Sequence, residues 1–317
     1  MTGKPEAVTS AVVFAYHDIG VRCLETLLEL GVEVSLVVTH QDNTTEKIWF
    51  DSVARLAERN NIAFITPVNV NSAAVIEQVS QCEPEFIFSF YYRQMLGQQL
   101  LDIPAGGCFN LHGSLLPKYR GRVPLNWAII HGEKEAGVSL HRMEIKPDAG
   151  NLVAQAPVPI LCNDSALDVF QKLKCAAETL LMEVIPEMLA GRVVEMPQDL
   201  EQGSYFSGRK PEDGRIDWCL PARDIHNLIR AVAPPYPGAF FDIPPHHIEV
   251  LGSYNRDEQA RFSNACIYFE NGNFQADCSD GRRIMITNLV IDGSRANQSL
   301  FQRIFGQRLV LDRENNT

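Results

Sequence analysis

No run of apolar residues in this 317-residue chain approaches the roughly 20 needed to cross a bilayer. Met1-Thr2-Gly3-Lys4-Pro5-Glu6 lacks the charged-then-apolar layout of a secretory signal. A cytoplasmic protein without membrane insertion is therefore expected. Its eight cysteines (Cys23, Cys82, Cys108, Cys162, Cys175, Cys219, Cys266, Cys278) include no Cys-x-x-Cys pair. Reduced thiols are expected, rather than a disulfide framework or a metal site. The first predicted strand is followed by Tyr16-His17-Asp18-Ile19-Gly20, with one glycine where a dinucleotide enzyme would carry Gly-x-Gly-x-x-Gly. The nucleotide-triphosphate loop Gly-x-x-x-x-Gly-Lys-Ser/Thr is missing, and Ser114 lacks the Gly-x-Ser-x-Gly elbow of α/β-hydrolases. Basic clusters are also missing, Arg282-Arg283 being only a pair. The net charge is −11, and it is uneven. Residues 1–203 hold 15 Lys/Arg against 25 Asp/Glu, and residues 204–317 hold 13 against 14. A chain that grips nucleic-acid phosphates ordinarily shows a basic face, so no nucleic-acid partner is expected.

What is present is an ordinary globular composition, 45% hydrophobic and 21% charged. Short apolar runs at 11–16, 34–39, 62–66, 85–90 and 107–112 alternate with helical spacing at 19–30, 46–60 and 72–81. Strand–helix alternation predicts an α/β fold with a Rossmann-like, doubly wound parallel sheet. Two strands near 137–143 and 151–160 and a long helix near 165–191 would close that unit. A helix at 221–232 follows, with Pro221 in its first turn. Apolar stretches at 248–251, 265–269, 274–278 and 283–290 then suggest a small β-barrel. The expected organisation is residues 1–203 as one domain and 204–317 as a second.

The densest chemistry lies in Phe109-Asn110-Leu111-His112-Gly113-Ser114-Leu115-Leu116-Pro117-Lys118-Tyr119-Arg120-Gly121. On a strand, residues two apart share a face, so Asn110 and His112 project together while Phe109 and Leu111 pack on the other side. His112 falls at the strand's carboxyl end, where ligands bind in open α/β sheets. An acid, Asp148, stands alone in Lys146-Pro147-Asp148-Ala149-Gly150. An amide, an imidazole and a carboxylate can together hold an oxyanion and move a proton, which points to acyl-type transfer. Asp148 beside His112 is expected to favour the imidazolium and raise its pKa above about 6.5.

Asn110-x-His112, Ser114-Leu115-Leu116-Pro117-x-Tyr119-Arg120-Gly121 and Asp148-Ala149-Gly150 resemble the signature of the folate-dependent formyltransferases. The resemblance extends over about residues 11–310. Phe14-Ala15-Tyr16-His17-Asp18, Phe88-Ser89-Phe90-Tyr91-Tyr92-Arg93 and Pro124-Leu125-Asn126-Trp127 are most similar to members acting on UDP-4-amino-4-deoxy-L-arabinose in lipid A modification and polymyxin resistance. These are usually one half of a bifunctional protein. The resemblance implies Asn110, His112 and Asp148 as catalytic residues, N10-formyltetrahydrofolate as co-substrate, no metal, and an oligonucleotide/oligosaccharide-binding (OB) kind of barrel at the end. It implies folate contacts from Gln94, Met95, Leu96, Glu144, Ile145, Lys146 and Pro147, with Arg122 reaching an anionic or carbonyl group of the ligands. A dTDP-4-amino-4,6-dideoxyhexose stays open as the formyl acceptor, as does methionyl-tRNA despite the charge balance. Homo-oligomer formation and a stand-alone or half-enzyme status stay open too.

Overall fold

The computed structural model describes residues 9–42 and 48–311. The first unit is built around a seven-stranded sheet. The elements up to Phe206 are β1 (Ser10–Ala15), α1 (His17–Glu29), β2 (Glu33–Val38), α2 (Val53–Arg59), β3 (Phe64–Ile65), α3 (Ala73–Gln81), β4 (Phe86–Phe90), α4 (Gln98–Leu101), β5 (Gly107–His112), β6 (Arg120–Gly121), α5 (Pro124–Ile130), β7 (Glu135–Arg142), β8 (Leu152–Pro159), α6 (Ala166–Leu189) and β9 (Tyr205–Phe206). The strand order is β3-β2-β1-β4-β5-β7-β8. The first five strands run parallel, and β7 runs antiparallel to β5. β1 and β4 are buried almost throughout, as strands covered on both faces must be, which is why they read as unbroken apolar runs. The chain steps outward through β2 and β3, then returns past β1 to β4 and β5. That reversal makes a switch point at the carboxyl ends of β1 and β4.

The helices follow their apolar stripes. In α1, Ile19, Cys23, Leu24 and Leu27 are buried, and Gly31 beyond its end takes φ +77. The helix expected over 46–60 is shorter. Residues 46 and 47 lie outside the described residues, and helix begins only at Val53, where the Ser52 hydroxyl accepts from Arg55 N–H. Before that cap, Trp49 and Phe50 pack on the His17 ring instead of continuing a helical stripe. Among the described residues, no helix is long and apolar enough to cross a membrane.

The remaining elements are α7 (Ala222–Val232), β10 (Ala239–Ile243), β11 (His246–Gln259), β12 (Cys266–Glu270), β13 (Asn273–Asp277), β14 (Arg282–Ile291), β15 (Ser294–Arg295), α8 (Gln298–Phe305) and β16 (Arg308–Val310). They make a curled antiparallel half-barrel in the order β10-β11-β14-β13-β12-β16. Its core joins Trp218, Ile225, Ile229, Phe241, Val250, Ile286 and Phe301. Both the α/β sheet and this second fold agree with the expected class. The strand expected at 248–251 extends to fourteen residues, with register shifts along its pairing with β14 that curl it.

The compact units are discontinuous in sequence. The first holds the described residues up to Pro124, then Ala136–Val158 and Gln171–Phe206. The second holds Leu125–Glu135, Pro159–Phe170 and the described residues from Ser207 onward. β9 belongs with the first because it pairs with β6.

Candidate active site

Strand β5 carries Asn110 and His112 on one face, two residues apart. His112, 7% exposed, ends the strand. Its Nε2 lies 2.9 Å from the Tyr119 carbonyl oxygen. A carbonyl only accepts, so that nitrogen carries a hydrogen and Nδ1 is the ring position left for a moving proton. Nδ1 faces Asp148 Oδ1 at 3.5 Å. The other carboxylate oxygen, Oδ2, accepts from Gly121 N–H at 2.8 Å.

The turn after β5 is tied down on every side. Ser114 Oγ donates to the Lys118 carbonyl at 2.7 Å, and Ser139 Oγ donates to the Ser114 carbonyl at 2.6 Å. Gln155 Nε2 donates to both Ser139 Oγ and the Leu116 carbonyl. Ser204 Oγ accepts from Tyr119 N–H at 2.8 Å. Tyr119 and Asp148 both sit in the left-handed region, at φ +57 and +52. Such conformations cost about 1–3 kcal/mol each and persist where the surroundings over-determine them. Gly150 completes the Asp148 turn by close approach, since a Cβ there would fall 2.1 Å from the Arg142 carbonyl oxygen. Gln198 Nε2 donates to the Asp148 and Gly150 carbonyls, fixing the turn from outside.

Burial pushes the Asp148 carboxyl up, but the imidazoles beside it and the Gly121 N–H outweigh burial and hold it at about 2. It is therefore ionised near neutrality. The expectation for His112 is corrected. Its pKa is lowered, because burial disfavours the charged ring more strongly than Asp148 and the Tyr119 carbonyl favour it. The resting pair is a neutral imidazole beside a carboxylate.

His141 is a member of this group that the sequence reading missed. It is 2% exposed, with Nε2 3.2 Å from Asn110 Nδ2 and 3.6 Å from Asp148 Oδ1. The antiparallel register sets it directly opposite Asn110. A buried-strand histidine seven residues before Asp148 was the available signal, but a strand's direction is not written in its own residues.

The residues expected to hold folate fall into two segments of the chain, 94–96 and 144–147. Tyr92, just before the first segment, and Met143, just before the second, pack against the cluster that contains Leu96. Leu96 itself is core, 2% exposed. Gln94 ties the chain down, accepting from Val70 N–H and donating to the Val68 carbonyl. Met95 is 51% exposed, and its carbonyl accepts from Asn71. Glu144, Ile145 and Lys146 are exposed and Pro147 is half-buried, leading into Asp148. Arg122 is exposed, its backbone N–H donating to the Phe206 carbonyl. Among the described residues, no group of three or more His, Cys, Asp or Glu side chains could hold a metal ion.

Comparison with known proteins bears on this geometry. The "Formyl transferase" family model matches residues 16–185, and the "Formyl transferase, C-terminal domain" model matches residues 209–301. Among solved structures, the chain is similar to WlaRD, a sugar 3N-formyl transferase determined with dTDP and 5-N-formyl-THF. The TM-score is 0.69 and the identity 21%, covering 92% of this chain and 98% of that one. It is also similar to an N-formyltransferase from Helicobacter canadensis in complex with folinic acid and dTDP-3-aminofucose. There the TM-score is 0.70 and the identity 23%, covering 88% and 98%. HypX from Aquifex aeolicus with tetrahydrofolic acid aligns at a TM-score of 0.62 and 17% identity, over 95% of this chain and 47% of that one. At these identities the likeness is one of fold.

Proposed function

Because this chain belongs to the formyl transferase family, matched in both its N-terminal and its C-terminal parts, we propose that it formylates the C4 amine of a nucleotide-linked amino sugar, UDP-4-amino-4-deoxy-L-arabinose. The formyl group comes from N10-formyltetrahydrofolate, which supplies an activated formyl carbon when bound. The observation that carries the reading is a trio of one buried and two partly buried side chains: Asn110 and His112 on one strand face, with Asp148 Oδ1 3.5 Å from His112 Nδ1. The region that gathers Tyr92, Leu96 and Met143 supports folate binding. Tyr92 and Met143 pack against the apolar cluster that contains Leu96, and Tyr92 Oη is buried without a partner among the described residues.

The chain's own residues divide the work. Asn110 Nδ2 donates to the formyl oxygen as negative charge develops there, a contribution of about 3–4 kcal/mol for a donor of this type. The amine nitrogen bonds to the formyl carbon, and His112 Nδ1 accepts the proton that the amine loses. The imidazolium is stabilised by Asp148 and by the Tyr119 carbonyl on its far nitrogen. His112 then delivers that proton to the folate nitrogen as the old carbon–nitrogen bond breaks. The order differs from one that starts with a charged His112, because burial leaves the ring neutral at rest.

A dTDP-4-amino-4,6-dideoxyhexose is the second reading; the dTDP ligands of the two sugar formyltransferases above favour its nucleotide, while the amine named for those proteins is at C3. The test is tetrahydrofolate release from N10-formyltetrahydrofolate with UDP-4-amino-4-deoxy-L-arabinose, dTDP-4-amino-4,6-dideoxyglucose and charged initiator tRNA in parallel. Release with the UDP sugar is expected. Release with the dTDP sugar alone selects the second reading, and release with tRNA alone refutes both.

A further inference from the structure

Asn110 has to present an N–H, not its carbonyl oxygen, to the formyl oxygen. A primary amide rotates easily between the two orientations, so something must select one. On the strand face of β5 the selecting group is the ring across the ladder. His141 Nδ1 lies 2.8 Å from the Arg142 carbonyl oxygen. That oxygen can only accept, so Nδ1 carries the ring hydrogen and the Nε2 of a neutral ring is a bare acceptor. Asn110 Nδ2 sits 3.2 Å from that lone pair. An amide turned the other way would set its oxygen against the same lone pair. Asp148 Oδ1, 3.6 Å from Nε2, is the competing partner, since the His141 ring is one of the groups that hold Asp148 ionised; Asn110 Nδ2 at 3.2 Å is the nearer of the two.

We propose that His141 is a positioning residue for the transfer: its bare Nε2 takes one Asn110 N–H and so leaves the second N–H aimed at the formyl oxygen. This rests on the formyl-transfer reading for its consequence in turnover, though not for its geometry. Three features fix the ring. It is buried, its strand pairs antiparallel to β5 with Asn110 opposite His141, and its far nitrogen is anchored on the backbone of its own strand. A histidine with one nitrogen tied to a carbonyl presents the other in a defined state, which is how a neighbour's tautomer selects a reacting group.

Two measurements test it. The first needs no substrate: 15N shifts of the His141 ring in the unliganded protein should show a hydrogen on Nδ1 and none on Nε2 at pH 7.5. An Nε2–H tautomer overturns the proposal, even if formyl transfer itself is confirmed. The second is a cycle of His141→Leu, Asn110→Ala and the double variant. His141→Leu should lower kcat about 10- to 100-fold, less than the roughly 100- to 1,000-fold expected for losing the donor itself. KM for both substrates should stay within about two-fold. In the Asn110→Ala background the same change should cost under about two-fold, since the group it orients is gone. Equal losses in both backgrounds overturn the proposal. His141→Gln, whose side-chain oxygen can accept the same bond, should recover most of the rate and decides the matter if the Leu variant fails to fold. A wild-type protein silent with every amine would refute the functional reading and leave the 15N result to decide this one.

Discussion

Replacing Asp148 by Asn removes a charge while leaving nearly the same shape. Asn Oδ1 can still accept from Gly121 N–H, and the bonds from Gln198 reach backbone carbonyls that the change does not touch. The fold should therefore survive. What changes is the partner of His112. A unit charge 3.5 Å from Nδ1, at an effective dielectric of about 20, is worth about 5 kcal/mol to an imidazolium. Both side chains are largely buried, so water screens little of it. At about 1.36 kcal/mol per decade, kcat should fall on the order of several thousandfold. The direction of the pH profile is equally constrained. Asp148 pulls the His112 pKa up against burial, so its removal should move the acid limb of kcat/KM to lower pH. The assay is initial-rate formyl transfer from pH 5 to 9 for both proteins, with thermal melts to verify folding. A loss below about tenfold, or a limb that moves to higher pH, would refute the assignment of Asp148 as the group that stabilises a charged His112.

Two further outcomes are expected. Gly150→Ala places a methyl against the Arg142 carbonyl, next to His141, so it should cost about 1–3 kcal/mol in urea unfolding and also lower kcat; wild-type stability would contradict the close approach. Stability should also fall in mild acid. His226, 1% exposed between Ser253 Oγ and the Cys162 carbonyl, is pushed down to about 4 chiefly by burial. It is neutral when folded and takes up a proton when unfolded, so its contribution is complete above pH about 6.5 and lost as pH falls toward 4. About 3 kcal/mol should be gone at pH 4, and His226→Gln should flatten that part of the stability curve. An unchanged slope in the variant would falsify the assignment.

Much of the architecture was legible because each strand of the parallel sheet is locally apolar and each helix keeps one stripe inward. Asn110 and His112 were legible for a simpler reason, the two-residue period of a strand. His141 was not. Its place depends on β7 running antiparallel to β5, and nothing in Glu135–Arg142 itself states a direction. Leu96 was offered as a folate contact through resemblance, with backbone groups as the partners; its side chain belongs to one apolar cluster with Val12, Phe14, Ile87 and Leu100. The shortened helix at Val53 shows a third limit. Trp49 and Phe50 pack on the ring of His17, more than thirty residues earlier, a contact that no local spacing states.

By itself the sequence determined the fold class and the pairing of amide and imidazole on one strand face, because these follow from local periodicity; Asp148, far along the chain, entered as a lone acid and through the resemblance. The His112 charge state was decided only by tertiary structure: an acid brought close by folding favours the imidazolium, whereas burial by the whole unit reverses the sign. The same holds for the hydrogen bonds from His112 to Tyr119 and from Gly121 to Asp148, and for the contact between Asn110 and His141. Desolvation and long-range register are properties of the assembled sheet, and no segment of the chain contains them alone.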